Sequence, residues 1–301
     1  MSASGVTHLV SVVICVKDRE ALIGDALRSI VQNHPHEIVV VDGQSKDRTV
    51  EIARQFTDRI VSDNGGGLAA ARQLGAETAT QPYVMYVDSD VVLGEGCITA
   101  LVEELEADPG LASSRADIRN LLKTSYWSRS LEAARELRPT ERQREHEIMG
   151  FGCMATLVRR DLILKYKFDR FFTGAVEDLD FYYRLLQDGW RFSKNASAPA
   201  YHRNRDSFAS FFKQRVWYGR GVVRGAAKGM PNARRTMLPS RQHRTGLPLL
   251  IHALRTRRFD LLPLIFVQAA AHYTGVGLEL TSLRLARLKN QRRDSRTGAR
   301  P

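Results

Sequence analysis

Over the first hundred positions, short runs of apolar and β-branched residues alternate with stretches of helical period. Residues 9–16 (LVSVVICV) form an unbroken apolar run, the pattern of a strand buried on both faces. Residues 20–32 follow with Leu22, Ala26, Leu27 and Ile30 at helical spacing. A second run, 37–41 (EIVVV), ends in Asp42-Gly43, and 47–56 reads as a helix through Val50, Ile52, Ala53 and Phe56. A short strand at 59–61, a turn at Asn64-Gly65-Gly66-Gly67 and an Ala-rich helix at 68–80 lead to the strand 83–87 (YVMYV), which ends at Asp88-Ser89-Asp90. This βαβαβαβ rhythm predicts an α/β fold with a mostly parallel sheet and helices on both faces. A helix is expected at 96–107 and another at 177–187, closed by Gly189, with an aromatic-rich helix at 207–218. Residues 118–148 are charged and helical in character and read as an insertion of unassigned role.

In such sheets ligands bind beyond the carboxyl ends of the strands. Three predicted strand ends carry polar groups: Lys17-Asp18, Asp42 and Asp88-Ser89-Asp90. Neither a dinucleotide-binding glycine pattern nor a phosphate-cradling loop follows the first strand. Asp88 and Asp90, two residues apart on a loop leaving a strand, can turn to one hard cation. Oxygen ligands suit Mg²⁺ or Mn²⁺, with substrate phosphate and water filling the other positions.

Charge changes the picture in the last third. The chain of 301 residues carries a net charge of +12, but residues 201–301 hold 21 Lys/Arg against 4 Asp/Glu, while the first two hundred are slightly acidic. A basic third beside an acidic body suits an anionic partner. Three cysteines, Cys15, Cys97 and Cys153, at unpatterned spacing exclude a disulfide scaffold and a cysteine zinc site, and point to a reducing compartment. No basic segment precedes the apolar run 9–16 and no small-residue cleavage site follows it, so no signal peptide is expected. The best membrane-span candidate, 259–278, contains Asp260, Pro263, Gln268 and His272. Its apolar core, 261–267, falls short of the ~20 residues needed to cross, which predicts an interfacial or buried helix.

Taken in order, the segments VSVVICVKDR, IVVVDGQSKDRT, GLAAARQLG and YVMYVDSD resemble the family 2 glycosyltransferases of the GT-A fold. The likeness continues through the stretch Gly150 to Arg160 and through Glu177-Asp178-Leu179-Asp180 with Arg184, covering about residues 8–220. It implies a catalytic domain over 1–220, with a donor half at about 8–110 and an acceptor half at about 149–220, followed by a basic amphipathic helical extension over 221–301. It further implies an inverting transfer from a nucleotide-diphosphate sugar to a hydroxyl acceptor. Lys17, Asp18 and Asp42 would meet the nucleotide; Gly43 stands where the family often has a second aspartate, leaving base selectivity open. Arg72 would lie beside the donor. Asp88, Ser89 and Asp90 would hold the sugar nucleotide and a Mn²⁺ or Mg²⁺ ion, with His202 completing the metal shell. Asp178 is the expected general base, with Glu177 the alternative. Asp180 and Arg184, four apart on one helix, are expected to pair as scaffold.

The basic third, with 261–267 and 281–290 (TSLRLARLKN), predicts peripheral attachment to the cytoplasmic face of an anionic membrane and a lipid-linked or cell-envelope glycan acceptor. A nucleotide-sugar pyrophosphorylase or other nucleotidyltransferase is the alternative, but its glycine-rich loop is absent after the first strand. A nucleic-acid-binding protein is the other alternative, suggested by a pI near 9.9; acidic strand ends would repel phosphate, so no nucleic-acid partner is expected. The sequence leaves the oligomeric state open.

Overall fold

The computed structural model describes residues 5–121, 125–136, 152–172, 174–204, 206–230 and 247–297. The chain divides into two compact units. The first is Met1–Thr124, Arg138–Thr173 and Glu177–Asn204; the second is Ser125–Leu137, Gly174–Val176 and Arg205–Pro301.

The first unit is built on an eight-stranded sheet of β1 (Val10–Val16), β2 (Glu37–Asp42), β3 (Ile60–Ser62), β4 (Tyr83–Val87), β5 (Val91–Leu93), β6 (Leu111–Asn120), β7 (Ala155–Arg159) and β8 (Arg191–His202). Their spatial order is β3-β2-β1-β4-β7-β6-β8-β5. The apolar runs behave as their composition dictates: all of β4 and six of the seven residues of β1 are buried. β1 pairs in parallel with β2 and β4, and β2 with β3. β6 and β8 are also parallel, whereas β7 runs antiparallel to β4 and β6, and β5 antiparallel to β8. Helices α1 (Ile23–Gln32), α2 (Thr49–Ala53), α3 (Leu68–Thr78) and α4 (Cys97–Ala107) fill the connections between β1 and β6. Two apolar clusters lie on opposite faces of the sheet, one around Val12, Leu27 and Leu101, the other around Val13, Tyr86 and Phe181. α3 lies flush on its face because Gly75 leaves no room there for even a methyl group against Val13.

The segment expected to be a helical insertion from 118 onward differs. Ile118, Arg119 and Asn120 continue β6 and pair with Ala200, Tyr201 and His202 of β8. A helix, α5 (Tyr126–Glu136), then follows. Residues 137–148 lie outside the described residues, as do Gly150 and Phe151 of the quoted motif. Between β7 and β8 lie α6 (Arg160–Tyr166) and α7 (Glu177–Gln187), in which Arg184 and Asp180 pair at 2.9 Å as their spacing predicts.

The second unit contains α5 with α8 (Phe208–Ala227), α9 (Leu247–Arg255), a 3₁₀ turn (Phe259–Leu261) and the long α10 (Leu262–Thr297). Residue 220, where the sequence predicts the catalytic domain to end, lies inside α8, which runs on to Ala227. Phe211, Leu249, Ala253, Leu261, Leu264 and Ile265 form this unit's own core, with Trp127 stacked on Phe211 at 5.0 Å. Most of the apolar stretch 261–267 thus packs inward. The segment Phe259–Ala286 is nevertheless long and apolar enough to cross a membrane by length and composition, with 44% of its most apolar window buried. Two of the polar residues that counted against it, Gln268 and His272, face the core, and Pro263 occupies the first helical turn, where a missing N–H is harmless.

Candidate functional site

The parallel register brings the ends of β1 and β2 level, with Val16 opposite Asp42. Both loops that leave them turn through left-handed residues, Asp18 at φ 52° and Gln44 at φ 63°. Ser45 ties the loops together. Its N–H donates to both Asp42 carboxylate oxygens at 3.2 Å, and its Oγ accepts from the Asp18 N–H at 2.9 Å. The Asp18 carboxylate in turn accepts from the Lys46 N–H at 2.8 Å. Lys17 stands exposed beside this latch. At Gly43, an added Cβ would sit 3.3 Å from the Val16 carbonyl, so the residue that departs from the family pattern occupies a tight corner.

The acidic triplet forms the turn between β4 and β5. The Asp88 N–H donates to the Met154 carbonyl at 3.0 Å, and the Asp88 carbonyl accepts from Val91 N–H at 3.0 Å. Ser89 and Asp90 are buried, whereas the Asp88 side chain is 41% exposed. The Arg203 N–H donates to the Asp90 carbonyl at 2.9 Å, fixing the end of β8 against the turn. That contact places His202 Nε2 3.6 Å from an Asp90 carboxylate oxygen.

Arg72 is the hub between this turn and the acidic pair on α7. It is buried, and its guanidinium bonds Glu177 directly, with Asp88 at 3.7 Å and Asp178 at 3.8 Å. The Tyr86 hydroxyl donates to its carbonyl at 2.9 Å. Glu177 is sealed in, and its Oε2 has no hydrogen-bond partner among the described residues. Burial pushes its carboxyl up to about 8, against the pull of Arg72 and with a further push from Asp178. Asp88 rises to about 6 for the same reason, with Arg72 pulling it down and Asp90 raising it. Asp178 is the more accessible of the α7 pair, its side chain 21% exposed. Desolvation pushes Cys15 up to about 12, so it stays a thiol.

Asp88, Asp90 and His202 were expected as one metal shell. Among the described residues, no three His, Cys, Asp or Glu side chains are grouped closely enough to hold an ion by themselves. Asp88 lies toward Arg72, whereas His202 faces Asp90. The donor set still suits a hard cation. The Asn204 carboxamide lies 3.0 Å from His202 Nδ1 and holds the ring in place beside Asp90. His202 Nε2 and the Asp90 carboxylate therefore face each other, an imidazole and a carboxylate of the kinds that ligate divalent cations. Asn204 went unrecognised in the sequence; its signal is the i, i+2 spacing from His202, which puts both side chains on one side of an extended segment. Ser45 was missed as well, since nothing in its local pattern marks it as the tie between two loops.

Residues 11–166, more than half of the chain, match the profile of Glycosyl transferase family 2. Curated relatives include the uncharacterized glycosyltransferase EpsJ of Bacillus subtilis, 29% identical over 105 residues, 33% of this chain and 30% of that protein. A cholesterol galactosyltransferase of Borreliella burgdorferi is 31% identical over 110 residues, 34% of this chain and 30% of that protein. The matched stretch thus spans about a third of these relatives. Among solved structures, the mannosyltransferase PcManGT from Pyrobaculum calidifontis, in complex with GDP-Man and Mn²⁺, has a TM-score of 0.63 at 17% identity and covers 90% of this chain and 86% of its own. That likeness is one of fold, a GT-A arrangement.

Proposed function

The chain belongs to Glycosyl transferase family 2, and from that premise we propose that it moves a sugar, with inversion, from a nucleotide-diphosphate sugar to a hydroxyl of a lipid-linked or cell-envelope glycan. The observation that carries this reading is the convergence on Arg72 of Asp88 from the β4 turn and the Glu177-Asp178 pair from α7. A donor-side carboxylate and an acceptor-side carboxylate are thereby held by one buried cation. The solved relative with GDP-Man and Mn²⁺ supports the donor class and the ion.

In this reading the latch of Asp18, Ser45 and Asp42, with Lys17, holds the nucleoside, and Asp88, Ser89 and Asp90 face the diphosphate. Asp88, Asp90 and His202 would hold Mn²⁺ or Mg²⁺. When bound, that cation neutralises the charge that develops on the nucleoside diphosphate as the glycosidic bond breaks. Asp178 accepts the proton of the acceptor hydroxyl, because it is the member of the pair open to solvent. Glu177, sealed against Arg72, holds the guanidinium and through it the placing of both carboxylate groups. The helical second unit attaches the enzyme peripherally to the cytoplasmic face of an anionic membrane, close to its acceptor.

Thermal unfolding with UDP or GDP, with and without Mn²⁺, tests the donor half of this reading, since a ligand of the folded state alone raises the midpoint. A Mn²⁺-dependent rise that disappears in Asp90→Ala is expected. No rise with any nucleoside diphosphate would remove the reading.

A further inference from the structure

Ten of the thirteen exposed large hydrophobic residues recorded in the structure belong to the second unit, although that unit also carries the chain's excess of positive charge. On α10 they are ordered. The buried positions Leu264, Ile265, Gln268, Ala271, His272, Val276 and Glu279 recur at spacings of three and four, the period of one helix face. The opposite face presents Pro263, Phe266, Ala270, Leu278, Leu280 and Leu285 to solvent, with Phe266 61% exposed.

This outer face is free of charge for a long way. Between Asp260 and Arg284 the sequence contains one Asp, Glu, Lys or Arg, Glu279, and one histidine, His272, which is buried on the inner side. Glu279 is wholly buried and points the other way, bonded by Arg220 Nε at 2.7 Å and Arg224 Nε at 2.6 Å of α8. A carboxylate that would forbid an apolar surround is thus neutralised on the inner side. From Pro263 to Thr281 the uncharged face runs about 27 Å at the rise of an α-helix. Basic residues bracket it, with Arg255, Arg257 and Arg258 before it and Arg284 after it.

The inner side is fixed to α8 at close quarters. An added methyl at Gly219 would collide with the His272 backbone, and one at Gly275 with the Val216 backbone. α8 itself carries Lys213, Arg215, Arg220 and Arg224. Taking both helices through hydrocarbon would strand those charges. The pair can offer a membrane its outer face and no more.

We propose that the outer face of α10, with Phe266 on it and the exposed Phe259 in the 3₁₀ turn just before it, lies in the plane of an anionic phospholipid leaflet, its apolar side chains in the acyl boundary and its flanking arginines on the headgroups. This deepens the membrane-associated reading given above by naming the face and its orientation, and it is independent of the transfer chemistry. An in-plane helix of this kind binds through apolar area and attraction to anionic lipid together.

The experiment is flotation of the full-length protein with vesicles of phosphatidylcholine alone or with phosphatidylglycerol. Binding that requires phosphatidylglycerol and falls with salt is expected. Phe266→Asp should weaken it at least about tenfold, since a buried Phe is replaced by a charge, while its melting temperature and nucleotide-induced stabilisation stay as in the parent. Arg284→Glu should weaken binding at low salt only. Alkaline carbonate should release the bound protein. Three results overturn the proposal: resistance to carbonate, which marks a spanning helix; vesicle binding untouched by Phe266→Asp; or no vesicle binding with self-association that Phe266→Asp abolishes, which assigns the face to a second copy. Loss of nucleotide stabilisation with vesicle binding intact would strike the transferase reading and leave this one standing.

Discussion

Replacing Glu177 with glutamine tests the electrostatics of the site without changing its shape. The carboxyl is 2% exposed, one oxygen bonded by Arg72 and the other without a hydrogen-bond partner among the described residues. Burial raises it from 4.5 to about 8. Between those values the folded state holds a proton that the unfolded chain releases. Stability is therefore full below the unfolded value and falls as pH rises toward about 8, by up to about 1.4 kcal/mol per pH unit. At pH 7 the accumulated loss is ~3 kcal/mol. Glutamine removes it, keeps an oxygen for Arg72, and adds an amide donor whose burial costs roughly 1 kcal/mol. Glu177→Gln should thus be about 2 kcal/mol more stable than the parent at pH 7 and no more stable near pH 4.5. Urea unfolding from pH 4.5 to 8.5, with chelator and without nucleotide, reads this out as two curves that cross. A variant less stable by about 3–5 kcal/mol at every pH would show that Glu177 is a fully ionised partner of Arg72, and would refute the reasoning.

Arg72→Lys keeps the charge but loses the planar fork, so nucleotide-dependent stabilisation and transfer should both fall while the protein still folds; unaltered transfer would deny Arg72 its role as hub. Asp88, raised above the usual carboxylate range by desolvation with Asp90 adding to it, must lose its proton to meet a cation, so Mn²⁺-dependent nucleotide affinity should decline as pH falls from neutral into the acid range. Titration calorimetry between pH 5 and 8 checks this, and a flat profile would count against Asp88 as a ligand. Val176, a β-branched residue at φ 84°, is in a region that glycine alone enters freely. Val176→Gly should raise stability by about 1 kcal/mol, measured by urea unfolding, and a loss would show that its side-chain packing outweighs the strain.

Strands β1, β2 and β4 are legible because they are short, largely apolar runs rich in valine and isoleucine, the trace that parallel strands buried on both faces leave. β4 was placed at Tyr83–Val87 and α7 at Glu177–Gln187, and both stand there in the structure. β8 was not readable as a twelve-residue strand, since Arg191, Lys194, Asn195 and Ser197 break any alternation. β6 runs on into residues read as a helical insertion, because its last positions, Ile118, Arg119 and Asn120, are half-exposed or exposed and lead directly into a charged stretch. Of the site, each carboxylate could be named from its motif, but the bond between Arg72 and Glu177 joins residues 105 apart, which no local pattern encodes. The inward turn of Glu279 was likewise invisible, because its partners lie on another helix.

In the proposed transfer with inversion, one buried arginine, Arg72, holds a donor-side carboxylate and an acceptor-side carboxylate. Asp178→Asn tests it most directly, with nucleotide affinity and sugar transfer measured on the same preparation in the presence of Mn²⁺. The predicted result is nucleotide affinity within about twofold of the parent and transfer reduced by at least about 10²-fold, the loss of a general base alone. Transfer near the parental rate with affinity intact would contradict the claim.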